Sequence, residues 1–294
     1  MTTARASVVV IGNFDGVHRG HQAVLRQARG IADADGLACV VLTFDPHPRE
    51  VLGGTARPPL TTLARRIELL RAHGADDVAI QPFSLEFAAW SPDRFARDLL
   101  AARLSARAVV VGENFRFGAK RAGDLPKLRE LGAELGFRAE AAQVDGDAKG
   151  PFSSTRVRQA LAAGDLAEAT LVLGRPHSLS GTVEEGDRVG RKIGFPTANL
   201  GGVVELLPPY GVYAIRADGR AGVMNIGVRP TVGGSSLRIE AHLFDFDGDL
   251  YGTAMRVELI GRIRGEQKFS GLDELKAQIA KDADAARAML GLTG

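Results

Sequence analysis

The hydrophobic pattern of this chain changes once, near residue 175, and that change restricts it to folds with two differently built halves. Before it, short apolar runs alternate with helix-period segments, the pattern of a parallel sheet flanked by helices. SVVVIG (7–12), ACVVLTF (38–44), DDVAIQ (76–81) and ARAVVVG (106–112) read as strands. Helices are expected from about Gly20 and over 61–74, 91–104, 125–136, 153–164 and 165–174. Ser91 and Pro92 supply an N-cap and a first helical residue, and Leu125, Leu128 and Leu131 share one helical face. The last two helices each end at a glycine suited to a left-handed C-cap. Beyond Arg175, glycine and β-branched residues dominate. Segments 211–217, 221–228, 237–246 and 253–264 read as strands joined by turns such as Asp218-Gly219 and Asp247-Gly248, and a helix over 272–290 closes the chain. The expectation is a parallel α/β domain followed by an antiparallel sheet or barrel with a C-terminal helix, divided between residues 173 and 180.

A length of 294 residues accommodates two such domains. Lys plus Arg is 37 against 35 Asp plus Glu, a net charge of +2. That balance offers no basic stripe, so no nucleic-acid partner is expected and phosphate recognition must come from local clusters. Cys39 is the single cysteine, which excludes an intrachain disulfide and points to a reducing cytoplasm. It sits in an apolar strand with no neighbouring cation and receives no role. The apolar stretch at the N-terminus is too short for a signal peptide, and nowhere do about eighteen apolar residues run together, so no membrane partner is expected.

GNFDGVHRGHQ (12–22) follows the first strand directly. Gly12 lets the chain turn, and Gly16 and Gly20 allow a ligand close to the main chain. If the helix has begun by His18, then His18 and His21 project from its N-terminal face, where free N–H groups and the dipole favour anions such as nucleotide phosphates. A metal pair is the competing reading. The zinc-protease spacing is absent, as are the dinucleotide and Walker A glycine patterns. SSTRVRQAL (153–161) places Ser154 or Thr155 to cap a helix whose first turn carries Arg156 and Arg158, against the dipole; either an anion lies between them or they point into water. TFDPHP (43–48) leaves Asp45 and His47 at the carboxyl edge of the sheet, and GENFRFG (112–118) places Asn114, Phe115 and Phe117 in a loop at another strand end. Those aromatics pack locally or hold a flat ring.

In order and spacing these strings, with the AGD after GENFRFG, resemble the adenylyltransferase module of the prokaryotic bifunctional riboflavin kinase/FMN adenylyltransferase family, also called FAD synthetase.

GRKIGFPTANL (190–200) puts Thr197 and Asn199 two apart, on one face of an extended segment and able to hold Mg²⁺ with its bridged phosphates. The glycine-rich stretch before it is a flap over phosphates or a plain hairpin loop. In LRIEAHLFDF, Glu240 and His242 share a strand face. Aimed inward from a barrel strand, Glu240 would need a charged partner or a catalytic task and would suit a general base for an alcohol; on the outer face it is a solvated carboxylate. GRKIGFPTANL, PPYGVYA, MNIGVRPTVGG, EAHLFDFDGDLYG and RIRGEQKF resemble the riboflavin kinase module of the same family.

The resemblance implies a Rossmann-like nucleotidyltransferase domain with a parallel sheet over residues 1–174 and an antiparallel β-barrel with a terminal helix over 175–294. It further implies two reactions: riboflavin plus ATP to FMN, then FMN plus ATP to FAD and pyrophosphate. The small-molecule partners would be riboflavin, FMN, FAD and ATP, with Mg²⁺ as cofactor. Thr197 and Asn199 would bind Mg²⁺ and ATP, and Glu240 would take the proton of the ribityl 5′-hydroxyl. His18 and His21 would serve adenylyl transfer, with Gly12, Phe14, Ser154, Thr155 and Arg158 completing that ATP site. Gly190 and Lys192 would contribute to the other. Asp45, His47, Asn114 and Phe115 would meet the flavin, and Arg262 and Arg264 would lie in a flavin-side loop. His177 stands where the family usually carries an aromatic residue, for which a packing change is expected.

Overall fold

A computed structural model describes residues 5–185, 197–231 and 234–292. Two compact units emerge. One comprises the chain up to Arg57 together with Leu63–Ser153, the other Pro58–Thr62 together with the chain from Ser154.

The first unit is built on a five-stranded parallel sheet. Its strands are β1 (Ser7–Ile11), β2 (Ala38–Asp45), β3 (Asp77–Pro82), β4 (Ala106–Val111) and β5 (Arg138–Ala141), in the order β3-β2-β1-β4-β5. The continuous apolar runs reflect a sheet covered on both faces. Val8, Val10, Cys39, Val41, Ala108 and Val110 pack one way with Leu25 and Ala28 of α1 (Arg19–Asp35). Val9, Leu42, Val109 and Val111 pack the other way. Each buried valine contributes about 1.5–3 kcal/mol over an exposed one.

Short helices α2 (Pro48–Val51), α3 (Leu63–Ala72), α4 (Leu85–Ala88) and α5 (Pro92–Arg94) follow β2 and β3. Ser91 caps α5 through Arg94 N–H at 3.1 Å, as its sequence position predicts. Beyond Arg94 the helix widens into a π-helix, Phe95–Arg103, where Leu104 N–H reaches back five residues to Leu99 O. Apolar periodicity does not distinguish that widening from an α-helix. In α6 (Leu125–Leu135), Leu125, Leu128 and Leu131 are all buried, and Asp124 caps the first turn. A small hairpin, β6 (Gly146–Asp147) and β7 (Gly150–Pro151), ends this unit.

The second unit begins with α7 (Ser154–Ala163) and α8 (Leu166–Leu173). Gly164 and Gly174 follow them with left-handed φ values of 74° and 72°. Then comes a closed barrel: β8 (His177–Glu184), β9 (Ala198–Gly201), β10 (Gly211–Ala217), β11 (Arg220–Thr231), β12 (Gly234–Leu243) and β13 (Ala254–Gly265), in the order β10-β11-β12-β9-β8-β13. Closure leaves no sheet edge unpaired. Helix α9 (Leu272–Met289) lies on the outside of the barrel: Ala286 and Leu290 cluster with Val212, Ala214, Val223 and Phe244. Strand β10 is therefore buried on both faces.

Asp218-Gly219, with φ values of 45° and 85°, forms the two-residue turn between β10 and β11. Asp247-Gly248, expected as a similar turn, instead lies within the longer connection from Phe244 to Thr253. The sequence pattern predicts none of β5, β6, β7 and β8, and around β9 only an extended segment. β9 has four residues and β8 interleaves serines, a glycine and a glutamate among its apolar positions, so neither shows a strand period; their pairing is settled by neighbours in the barrel.

Candidate functional site

The α/β site is a tight turn discharged into a helix. Gly16 adopts φ 85°, and Phe14 and Val17 are forced into left-handed conformations at 51° and 40°, strain of the kind that clusters at ligand sites. His18 caps α1: its Nδ1 accepts from His21 N–H at 3.3 Å. Accepting there, neutral His18 carries its proton on Nε2. The His18 and His21 rings stack at 3.6 Å between centroids. Phe14, 2% exposed, backs His21 edge-on at 5.0 Å. Its ring therefore belongs to the core, and Phe14 can meet a ligand only through its main chain. A Cβ on Gly20 would stand 2.5 Å from Phe152 O, so glycine is required where the helix start meets its neighbour.

Among the described residues His21 Nδ1 is covered and has no hydrogen-bond partner. Burial above all, then His18 and Arg66, hold the His21 imidazole well below its ordinary pKa. Arg66 of α3 had no sequence signal beyond a charge on an amphipathic helix. It is 7% exposed, its Nη1 lies 3.5 Å from Phe44 O, and its Nε is unpartnered. Burial lowers its pKa against the opposing pull of Asp15, Asp45 and Glu50. A buried cation and two neutral imidazoles thus sit at the carboxyl ends of β1 and β2, a setting suited to oxyanions.

Asp45 is exposed at the end of β2, and His47 caps α2 by accepting from Arg49 N–H at 3.1 Å. Asn114 is exposed. Phe117, offered as a possible ring platform, turns into the core at 5% exposure and leaves half-buried Phe115 stacked on it at 5.5 Å. In the second unit, α7 starts at Ser154, so the cap position falls on Ser153 rather than on Ser154 or Thr155. Arg156 does not point into water: its Nε meets Glu168 Oε1 at 2.7 Å, and its side chain is largely buried. Arg158 donates to Pro58 O at 2.8 Å.

The barrel site is assembled by register. Asn199 of β9 is paired with Glu184 of β8 on one side and with Glu240 of β12 on the other, and Glu240 is paired in turn with Asn225 of β11. Residues directly opposed share a face. That face is the outer one, because Ile239 and Ala241 flank Glu240 and are buried while Val223, next but one to Asn225, lies under α9. Glu240 is half-buried and its Oε1 lies 3.3 Å from Arg238 Nη1. Glu240 is therefore not aimed into the barrel, as the inward reading expected: it stands on the outer face, with its carboxylate partly open to solvent.

Thr197 borders a cavity of about 380 Å³ at the barrel mouth, shared with Ala198, Ala241, Leu243, Phe246 and Tyr251. Its size suits a small-molecule ligand. The Phe244–Thr253 connection, with its alternating aromatic, aspartate and glycine residues, was the one hint of it in the sequence. Gly190 and Lys192 lie outside the described residues.

Arg262 and Arg264 are not in a loop. Both lie on β13. Arg264 is spent on a two-pronged pair with Asp282 of α9, at 3.0 and 2.8 Å, and on Gly265 O at 2.9 Å. Arg262 donates to Tyr210 O at 3.1 Å. His177 is buried, its Nε2 lying 2.8 Å from Leu206 O; a polar link occupies the place expected for an aromatic.

A parallel α/β unit with imidazoles at a helix N-terminus, joined to a closed barrel with a carboxylate–amide row, defines a two-module nucleotide-dependent transferase. Residues 1–156 match the model of the FAD synthetase family, and residues 173–290 match that of riboflavin kinase. The chain is 44% identical to the bifunctional riboflavin kinase/FMN adenylyltransferase of Escherichia coli strain K12, over 97% of its own length and 93% of that protein's. It is 38% identical to the Bacillus subtilis protein of the same name, over 95% and 91%. The chain belongs to the bifunctional riboflavin kinase/FMN adenylyltransferase family, with an FAD synthetase domain followed by a riboflavin kinase domain. A solved structure called a macrolide-efflux protein from Streptococcus pneumoniae is similar throughout, with TM-score 0.86 and 31% identity, covering 96% of this chain and 94% of that one. Among the described residues, no helix here is long and apolar enough to cross a membrane.

Proposed function

We propose that the barrel carries phosphoryl transfer from ATP to riboflavin through Glu240, Thr197 and Asn199, and that the α/β unit carries adenylyl transfer to FMN through His18 and His21. The observation that supports this most strongly is the register row, which sets the Glu240 carboxylate beside Asn199 on one open face. In the first reaction a Glu240 oxygen accepts the proton of the ribityl 5′-hydroxyl as that oxygen bonds to the γ-phosphorus, and ADP leaves. ATP is read into the cavity beside Thr197, so that its phosphates run toward Asn199. The Thr197 hydroxyl and Asn199 carboxamide offer the hard oxygen donors that Mg²⁺ takes alongside phosphates and waters. Mg²⁺ bound there would neutralise charge on the transferring phosphoryl group.

In the second reaction a phosphate oxygen of FMN bonds to the α-phosphorus of ATP and pyrophosphate leaves. That nucleophile is already anionic, so the site needs donors rather than a base. His18 Nε2–H, the N-terminal amides of α1 and buried Arg66 are donors of that kind. Gly12, Phe14, Ser154, Thr155 and Arg158 are assigned to the same ATP, and Asp45, His47, Asn114 and Phe115 to its flavin. The functional boundary is placed between residues 174 and 175. A lone cysteine supports action in the cytoplasm. Incubation with riboflavin, ATP and Mg²⁺ followed by chromatography of the flavins should yield FMN and then FAD. Absence of both would sink the assignment.

A further inference from the structure

Beside Glu240 the barrel carries a cradle that no motif singled out. Asn225 is the register partner of Glu240, exposed, with no hydrogen bond to its carboxamide among the described residues. Two residues on, the nearest atoms to a Cβ built on Gly227 belong to Glu266 and Asn225: it would stand 2.5 Å from Glu266 Oε1 and 3.7 Å from Asn225 Nδ2. Glu266 is held over this bare floor by Val228 N–H, 3.4 Å from its Oε1. It follows β13 directly, and the turn into its segment is braced by Arg264, which grips Asp282 on α9 and Gly265 O at once. Arg238, the ion-pair partner of Glu240, is paired in register with Gly227. The glycine floor is thus bordered by the Asn225 carboxamide, the Glu266 carboxylate and the Arg238–Glu240 ion pair.

Resting on the reading of Glu240 as the kinase base, we propose that Asn225 and Glu266 read the secondary hydroxyls of the ribityl chain and so determine which alcohol is offered to that base. A run of neutral alcohols needs both donors and acceptors. The carboxamide supplies both, and the carboxylate accepts from hydroxyl groups. The Glu266 carboxylate, held by a backbone N–H rather than by a cation, disfavours a phosphate ester at this end of the site, while the phosphates of ATP approach from Thr197 and Asn199. Gly227 is the residue that lets Glu266 lie flat; a side chain there would displace its carboxylate.

The test compares riboflavin with an isoalloxazine carrying a 5-hydroxypentyl chain, which keeps the primary alcohol and lacks every secondary one. Wild type should prefer riboflavin in kcat/KM. Asn225→Ala should cut that preference about ten-fold, mainly through KM for riboflavin, the order expected for one lost hydrogen bond. Glu266→Gln should cut it by less, and Gly227→Ala should match Glu266→Gln. Asn225→Ser should recover part of the loss. Because Asn225 is exposed, its variants are expected to fold even if Gly227→Ala does not. Equal fractional losses on the two flavins, or no preference in wild type, would overturn the assignment of Asn225 and Glu266. Full kinase turnover in Glu240→Gln would instead remove the reading on which it rests.

Discussion

The two sites are built in opposite ways. In the α/β unit, the turn and both imidazoles come from one stretch, residues 12–22, and the helix they open supplies the anion-binding amides. In the barrel, Asn199, Glu240 and Asn225 come from three strands and meet only because those strands pair in one register. A one-residue slip of β12 would turn Glu240 inward and Ala241 outward. The first site is therefore protected by covalent proximity, and the second by the closure of the whole barrel.

The sharpest way to break this contrast is to show that the sites are not separate. Glu240→Gln should lower FMN formation by about 10³-fold, within the range for loss of a positioned base, while added FMN still becomes FAD at the wild-type rate. His21→Ala should do the reverse, lowering FAD formation about 10²-fold, as for loss of an electrostatic donor, with riboflavin phosphorylation intact. A variant of either kind that lost both activities would show that the two sites do not act independently.

The same contrast explains what could be read from sequence. The turn and the helix start were visible because both are local: glycines, a capping side chain and an apolar strand within a dozen residues. His18 itself is the cap, two residues before the expected helix start at about Gly20, because its Nδ1 substitutes for the usual hydroxyl or carboxylate. The barrel site was visible only as separate strings. Alternation could not choose a face for Glu240, since that depends on which side α9 covers. The strand read over 253–264 takes in Arg262 and Arg264, and only the resemblance puts them in a loop; what nothing in RIRG reveals is that Asp282, on the terminal helix, holds Arg264. Arg66 was missed for a related reason: an arginine in a helix of arginines looks solvated until the sheet edge above it is known.

If the barrel depends on closure, weakening its brace should cost stability as well as activity. Asp282 is 5% exposed on its side chain and Arg264 21%. Asp282→Asn removes one charge of this pair and leaves the other partly buried. The cost should be about 2 kcal/mol, less than for a fully buried pair because Arg264 keeps some contact with water. Denaturant titration would measure it. Riboflavin phosphorylation should fall with it, since Arg264 also braces the segment bearing Glu266, whereas FMN adenylylation should hold. Unchanged stability would mean that α9 is fastened by its apolar face alone.

The smallest effect separates the units by pH. In the folded α/β unit His21 titrates well below its ordinary value, chiefly through burial and then through His18 and Arg66. An unfolded chain binds a proton at His21 as the pH falls through about 6.5, whereas the folded chain does not until lower pH. Over that window the unfolded state holds more protons, so stability falls with falling pH, by at most about 1.4 kcal/mol per pH unit for one group. Above the ordinary histidine value both states are neutral there and the contribution vanishes. Melting curves between about pH 8 and pH 5.5 should therefore show an acid-side loss that is smaller in His21→Ala. An equal slope in the variant would assign the loss to another group and would leave the stacked pair of imidazoles without the neutral state on which its role at the phosphates depends.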